Sequence, residues 1–171
     1  MNWQNNQDYI DRFFGSLPYL LPVSGAMEFG VHIFPQFKFL VYPLLPFILI
    51  DKFLLRFSIL PGIGGEFIIF MALFFLVIRS DRLSRFIRLN TMQALLLQIG
   101  LFIATLALTL LGFGLNTLPG GLLIEQVITN TIFMGMVFCF FYSLYYTVRG
   151  EYPEIPGVSD AASMQIDGRR F

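Results

Sequence analysis

Hydrophobic residues in this chain come in long unbroken runs, not in alternation. The run "MQALLLQIGLFIATLALTLLGFG" (92–114) holds only Gln93, Gln98 and two threonines as polar positions. At about 1.5 Å per residue it covers a hydrocarbon core of about 30 Å. A second run, "LLIEQVITNTIFMGMVFCFFYSLYYTV" (122–148), is longer and can tilt. Between them "NTLPGG" (116–121) supplies a turn through Pro119, Gly120 and Gly121, so the pair predicts a hairpin across a membrane. Upstream, "FIIFMALFFLVI" (67–78) extended by "ILPGIGGE" predicts a span over 61–78, with Glu66 near the positive pole of the helix entry. "FLVYPLLPFILI" continued by "DKFLLRF" predicts a span over 39–57, kinked by Pro43 and Pro46 and ended by snorkelling Lys52 and Arg56.

The stretch 17–34 reads differently. Ser24, Glu28 and His32 recur every four residues on one helical face, which predicts an amphipathic helix lying along the interface. The fold class expected is therefore all-α, a polytopic membrane protein with four transmembrane helices and an N-terminal interfacial helix. Its parts are an extramembrane and interfacial segment at 1–36, a membrane domain at 37–148 and an extramembrane tail at 149–171.

Composition agrees: 56% of the residues are hydrophobic and 13% charged, where soluble domains carry about a quarter charged residues. The placement of charge is more telling. In "RSDRLSRFIRLNT" an arginine stands at every third position, Arg79, Arg82, Arg85 and Arg88. As a voltage-sensing span this stretch would bury five charges, at a cost of about 12–18 kcal/mol. As a loop at the interface it orients the protein and meets anionic lipid or an acidic partner. With four spans, the side holding the N-terminus, this loop and the tail carries nine Lys and Arg against two, which puts both termini on the cytoplasm-like side. Tyr142, Tyr145 and Tyr146, just before Arg149, suit an aromatic belt.

Little else carries chemistry. With one cysteine (Cys139) and one histidine (His32), and neither H-E-x-x-H nor G-x-S-x-G, the sequence offers no zinc cluster, no catalytic residue and no cofactor motif. "GIGG" (62–65) follows no strand, so it is read as a flexible helix entry and not a phosphate loop. The N-terminus, "MNWQNNQDYIDRFF", lacks the pattern of a removable presequence, which suits a bacterial or organelle-encoded protein. The polar residues inside the last two spans, Gln93, Gln98, Glu125, Gln126, Thr129 and Asn130, are the candidates for lining a conduit. Hydrogen bonding between helices, and for Glu125 a place near a helix start, are the structural alternatives.

Two long motifs in this order, "RFIRLNTMQALLL" (85–97) and "YPEIPGVSDAASMQI" (152–166), closely resemble the Tic-twenty family. That family comprises membrane subunits of the chloroplast inner-envelope protein-import translocon and their cyanobacterial relatives. "LPYLLPVSGAMEFG" (17–30) and "FMALFFLVIRS" (70–80) are similar to it as well. The resemblance implies four membrane helices with both termini on the stromal or cytoplasmic side, in a chloroplast inner envelope or a cyanobacterial plasma or thylakoid membrane. It implies a role in passing unfolded precursor polypeptides, with membrane lipids and other translocon subunits as partners, and neither nucleic acid nor cofactor. Four packed helices have no room for a folded protein and hardly enough for an extended chain, so a conduit needs further copies or other subunits. Two alternatives stay open: a non-conducting scaffold or assembly factor of a larger, photosynthetic complex, and a subunit of a small-solute or ion channel. One departure stands at Gln98, where the family pattern commonly carries an aspartate.

Overall fold

The computed structural model describes residues 3–56, 64–80, 82–115 and 119–168, which are helical apart from turns and short irregular stretches such as 151–155, with no strand among them. In chain order the helices are α1 (Trp3–Ser16), α2 (Leu20–Gly25), α3 (Val41–Arg56), α4 (Gly65–Leu73), α5 (Arg85–Leu115), α6 (Gly121–Arg149) and α7 (Val158–Asp167). The expected joint between the first two spans (57–63), Asp81, the start of the 116–121 turn, Arg169 and Arg170 lie outside the described residues.

Two helices, α5 and α6, are long and apolar enough to cross a membrane. They form the expected hairpin, and Thr147 near the end of α6 meets Asn90 near the start of α5. α5 begins seven residues earlier than the expected span because Asn90 and Thr91 bond back to carbonyls four residues before them, Phe86 O at 2.8 Å and Ile87 O at 2.8 Å. The upstream pair is shorter. The 16 residues of α3 rise about 24 Å, and Pro46 sits inside it. α4 runs into a π-turn at Phe74–Ile78, and together they rise about 21 Å. Four full spans are thus not seen among the described residues.

The stretch 17–34 departs most from expectation. It breaks into a 3-10 turn (Leu17–Tyr19), α2 and a 3-10 segment (Ala26–His32), and most of it is buried. Tyr19, Val23, Ser24 and Ala26 are all within 1% of complete burial. The three-residue stripe is too thin to make one wet face. Apolar residues surround it on every other side, and a segment apolar nearly all round is buried by its neighbours. Gly30 permits the closest approach, since a Cβ there would lie 2.6 Å from the Phe34 ring and 3.0 Å from that of Phe133. Edge-to-face pairs of Phe34 with Phe133 (5.4 Å) and Phe47 with Phe140 (5.1 Å) seal the same region, at about 0.5–1.5 kcal/mol each. The amphipathic helix is instead α1, which leaves Tyr9, Ile10, Phe13 and Phe14 exposed.

The tail is docked. α6 ends at Gly150, whose φ of +81° lets the chain reverse while Glu151 N donates to Tyr146 O at 2.9 Å. After a second left-handed glycine, Gly157, α7 packs along α5. Its Ala162 and Ile166 share a buried cluster with Leu21, Leu54, Ile78, Met92 and Leu95.

Candidate functional site

Between lipid-facing helices there is little hydrophobic driving force, so polar contacts and close packing carry the specificity of assembly. The polar side chains of this bundle fall into three groups at successive depths along α5, and the buried 17–32 segment touches all three.

The first group lies where the N-terminal segment, α5, α6 and the tail converge. The Tyr19 hydroxyl sits 2.7 Å from Gln93 Oε1 and 3.1 Å from Asn90 Oδ1, and the Thr147 hydroxyl donates to Asn90 Oδ1 at 3.0 Å. Gln93 Nε2 donates both hydrogens, to Pro153 O at 3.1 Å and to Ser159 Oγ at 3.0 Å. Ser159 Oγ accepts from Ile155 N at 2.7 Å and donates to Pro153 O at 2.9 Å. Asn90, Gln93 and Thr147 are wholly buried. Both ends of the Gln93 amide are engaged inside the protein.

About a turn and a half further along α5 lies the second group. Gln98, 1% exposed, donates from Nε2 to Glu66 Oε2 at 3.1 Å. Glu66 stands in the field of two further carboxylates, Asp51 and Glu28. Asp51 is itself 6% exposed. Three buried oxygens here, Asp51 Oδ1, Glu66 Oε1 and Gln98 Oε1, have no donor among the described residues. Gly25 makes room for this group, because a Cβ there would sit 3.0 Å from Glu66 Oε1 and 3.3 Å from Gln98 Nε2.

The third group surrounds a cavity of about 270 Å³ lined by Glu28, His32, Thr105, Thr109, Glu125 and Thr129, among others. Thr129 is buried, and its hydroxyl reaches Glu125 O at 2.9 Å and Gln126 O at 3.1 Å. Glu125, Gln126 and Asn130 are half-buried, and Asn130 Oδ1 is buried without a partner among the described residues.

The structure thus spreads the six candidate residues over separate depths. Gln93 belongs to the closed network, Gln98 to the acidic group, and Glu125 and Thr129 to the cavity. Tyr19, Asp51, Glu66 and Ser159 were not singled out from sequence. On a hydropathy reading Glu66 looks terminal and Asp51 is a lone acid inside an expected span, while the joint presence of the 85–97 and 152–166 motifs was the signal for the contact of Gln93 with Ser159.

The four arginines divide. Arg85 forms a two-point pair with Asp167, Nε to Oδ1 at 3.0 Å and Nη2 to Oδ2 at 2.6 Å. Arg88 Nε donates to Ile78 O at 3.1 Å, at the end of the π-turn. Arg79 lies over the Phe75 ring at 5.8 Å. Arg82 is exposed, with neither an ion pair nor a hydrogen bond among the described residues.

Comparison with known sequences places this arrangement among relatives. The profile of the family described as "Chloroplast import apparatus Tic20-like" matches residues 3–162. A Tic20 family protein of Synechocystis is 35% identical over 159 residues, 93% of this chain and 94% of the relative. The chloroplast protein TIC 20-v of Arabidopsis thaliana is 31% identical, covering 93% of this chain and 72% of its own length. A Tic20 family protein, Ycf60, of the red alga Gracilaria tenuistipitata is 30% identical, covering 96% and 79%.

Proposed function

Because the chain belongs to the Tic20-like family, we propose that it is a membrane subunit of a protein-translocation complex and forms part of the path of an unfolded precursor. The observation that carries this reading is the line of polar groups at three depths in an otherwise apolar bundle, two of them with unpartnered acceptors. An extended polypeptide brings backbone N–H donors that need acceptors wherever water is absent.

The path does not run through the middle of one copy. Tyr19, Val23, Ala26, Met27, Phe29 and Ile33 fill that space. A conduit therefore lies between this chain and another subunit or a second copy, with the half-buried Glu125, Gln126 and Asn130 of α6 toward it. In this reading the end of the bundle that bears Arg79 to Arg88 faces the cytoplasm or stroma. Photocrosslinkers at Gln126 and Asn130 are expected to capture an arrested unfolded precursor, while one at Gln93 captures none. Adducts only to a fixed set of resident membrane proteins would instead favour a scaffold role.

A further inference from the structure

A second cavity, of about 560 Å³, opens on the outside of the bundle, away from the α6 polar groups. α1, the 17–24 segment, α3, α4 and the start of α5 form its walls, and its surface is overwhelmingly apolar: Leu21, Ile50, Leu54, Ile69, Leu73 and Ile87 are among the lining residues. Polar character is confined to Asp11, Ser24, Arg82, Ser84 and Thr91. Ser24 and Thr91 spend their hydroxyls on backbone carbonyls, Leu21 O and Ile87 O. Arg82, Ser84 and Asp11 remain at the mouth.

We propose that this groove binds one glycerophospholipid with a singly charged phosphodiester and a hydroxyl-bearing headgroup. An acyl chain lies between α3, α4 and the 17–24 segment, and the phosphate meets Arg82. Three observations fix that choice. The volume is of ligand size, in the 300–1,000 Å³ range of small-molecule sites, and its apolar walls suit an acyl chain. Of the four regularly spaced arginines, Arg85 and Arg88 are spent on Asp167 and Ile78 O, and Arg79 lies outside the groove, so Arg82 alone offers a guanidinium to an anion there. Asp11 on the same rim disfavours a multiply charged headgroup and accepts hydrogen bonds from hydroxyls. The inference is independent of the translocation reading, since the groove and α6 use different residues.

Native mass spectrometry of the full chain, released from bilayer discs of equal phosphatidylglycerol and phosphatidylcholine, tests it. Wild type is expected to retain one phosphatidylglycerol. Arg82→Gln weakens that retention about tenfold, the worth of one charge-assisted contact. Arg79→Gln leaves it unchanged, and Leu73→Trp, which fills the groove, abolishes retention of either lipid at this stoichiometry. Thermal unfolding of each variant establishes that the bundle is intact. Equal retention of the two lipids by wild type, or equal losses from Arg79→Gln and Arg82→Gln, would overturn the proposal, because either result describes boundary lipid drawn by general charge.

Discussion

The Tyr19–Gln93–Ser159 group and the Asp51–Glu66–Gln98 group lie within two turns of α5, yet they are built on opposite principles. In the first, neutral donors and acceptors are matched, and four separate chain segments are tied together. In the second, carboxylates face each other's charge, and three buried oxygens have no donor among the described residues. A buried acceptor without a donor costs about 1–3 kcal/mol, so the second group lowers stability where the first raises it. That deficit is sealed inside the chain, with Asp51 and Gln98 6% and 1% exposed, so it is a cost carried within the bundle. The translocation proposal rests instead on the half-buried Glu125, Gln126 and Asn130 of α6.

Substitutions can break this contrast. Gln93→Leu removes the donor to Pro153 O and Ser159 and leaves the Tyr19 hydroxyl with Asn90 alone. It should cost about 2 kcal/mol, visible as a lower unfolding temperature in detergent and as early proteolysis within 151–168. Gly150→Ala should cost about 1–2 kcal/mol, because the left-handed turn resists a side chain and the new Cβ would lie 2.7 Å from Arg12 Nε. Glu66→Gln acts in the other direction: it removes a charge from the field of Asp51 and Glu28, and about 1 kcal/mol of added stability is expected. Should Gln93→Leu and Glu66→Gln shift unfolding in the same direction, the contrast between the groups collapses. A cycle of Glu66→Leu and Gln98→Leu should give a coupling near 0.6 kcal/mol, the usual size for a hydrogen bond inside a membrane bundle. Arg85→Ala comes last. Its pair with Asp167 is 41% and 44% exposed, and a loss below about 1 kcal/mol is expected.

How much of this was legible beforehand follows from what hydropathy measures. Runs such as 92–114 announce α5 because transfer to lipid depends on composition summed along a segment. The place of 17–34 was not legible, because burial by protein and burial at an interface both follow from apolar residues beside a few polar ones. Only the partners decide between them, and those lie in α5 and α6. Glu66 was read as a helix entry, and Asp51 passed unremarked inside the expected span 39–57, for the same reason: sequence shows both beside apolar runs, while their depth is set by where Gln98 and Gly25 bring them. Of the arginine stretch, expected as one loop, Arg79 and Arg82 lie between helices while Arg85 and Arg88 belong to α5. The division of labour among the four depended on Asp167 and Ile78, distant in chain or set by a π-turn. Gln93 and Gln98, two equivalent amides on a hydropathy plot, proved to have unlike surroundings.

The docked tail carries a consequence for biogenesis. α7 is made after α6, yet Ser159 and Pro153 complete the hydrogen bonding of a glutamine near the start of α5. The α5–α6 hairpin must therefore enter the bilayer with that amide unsatisfied on one side, and α7, translated after it, closes the assembly like a latch. A chain terminated before residue 153 and released would give the same bundle unlatched, open to chaperones and proteases at the very end that the finished protein seals.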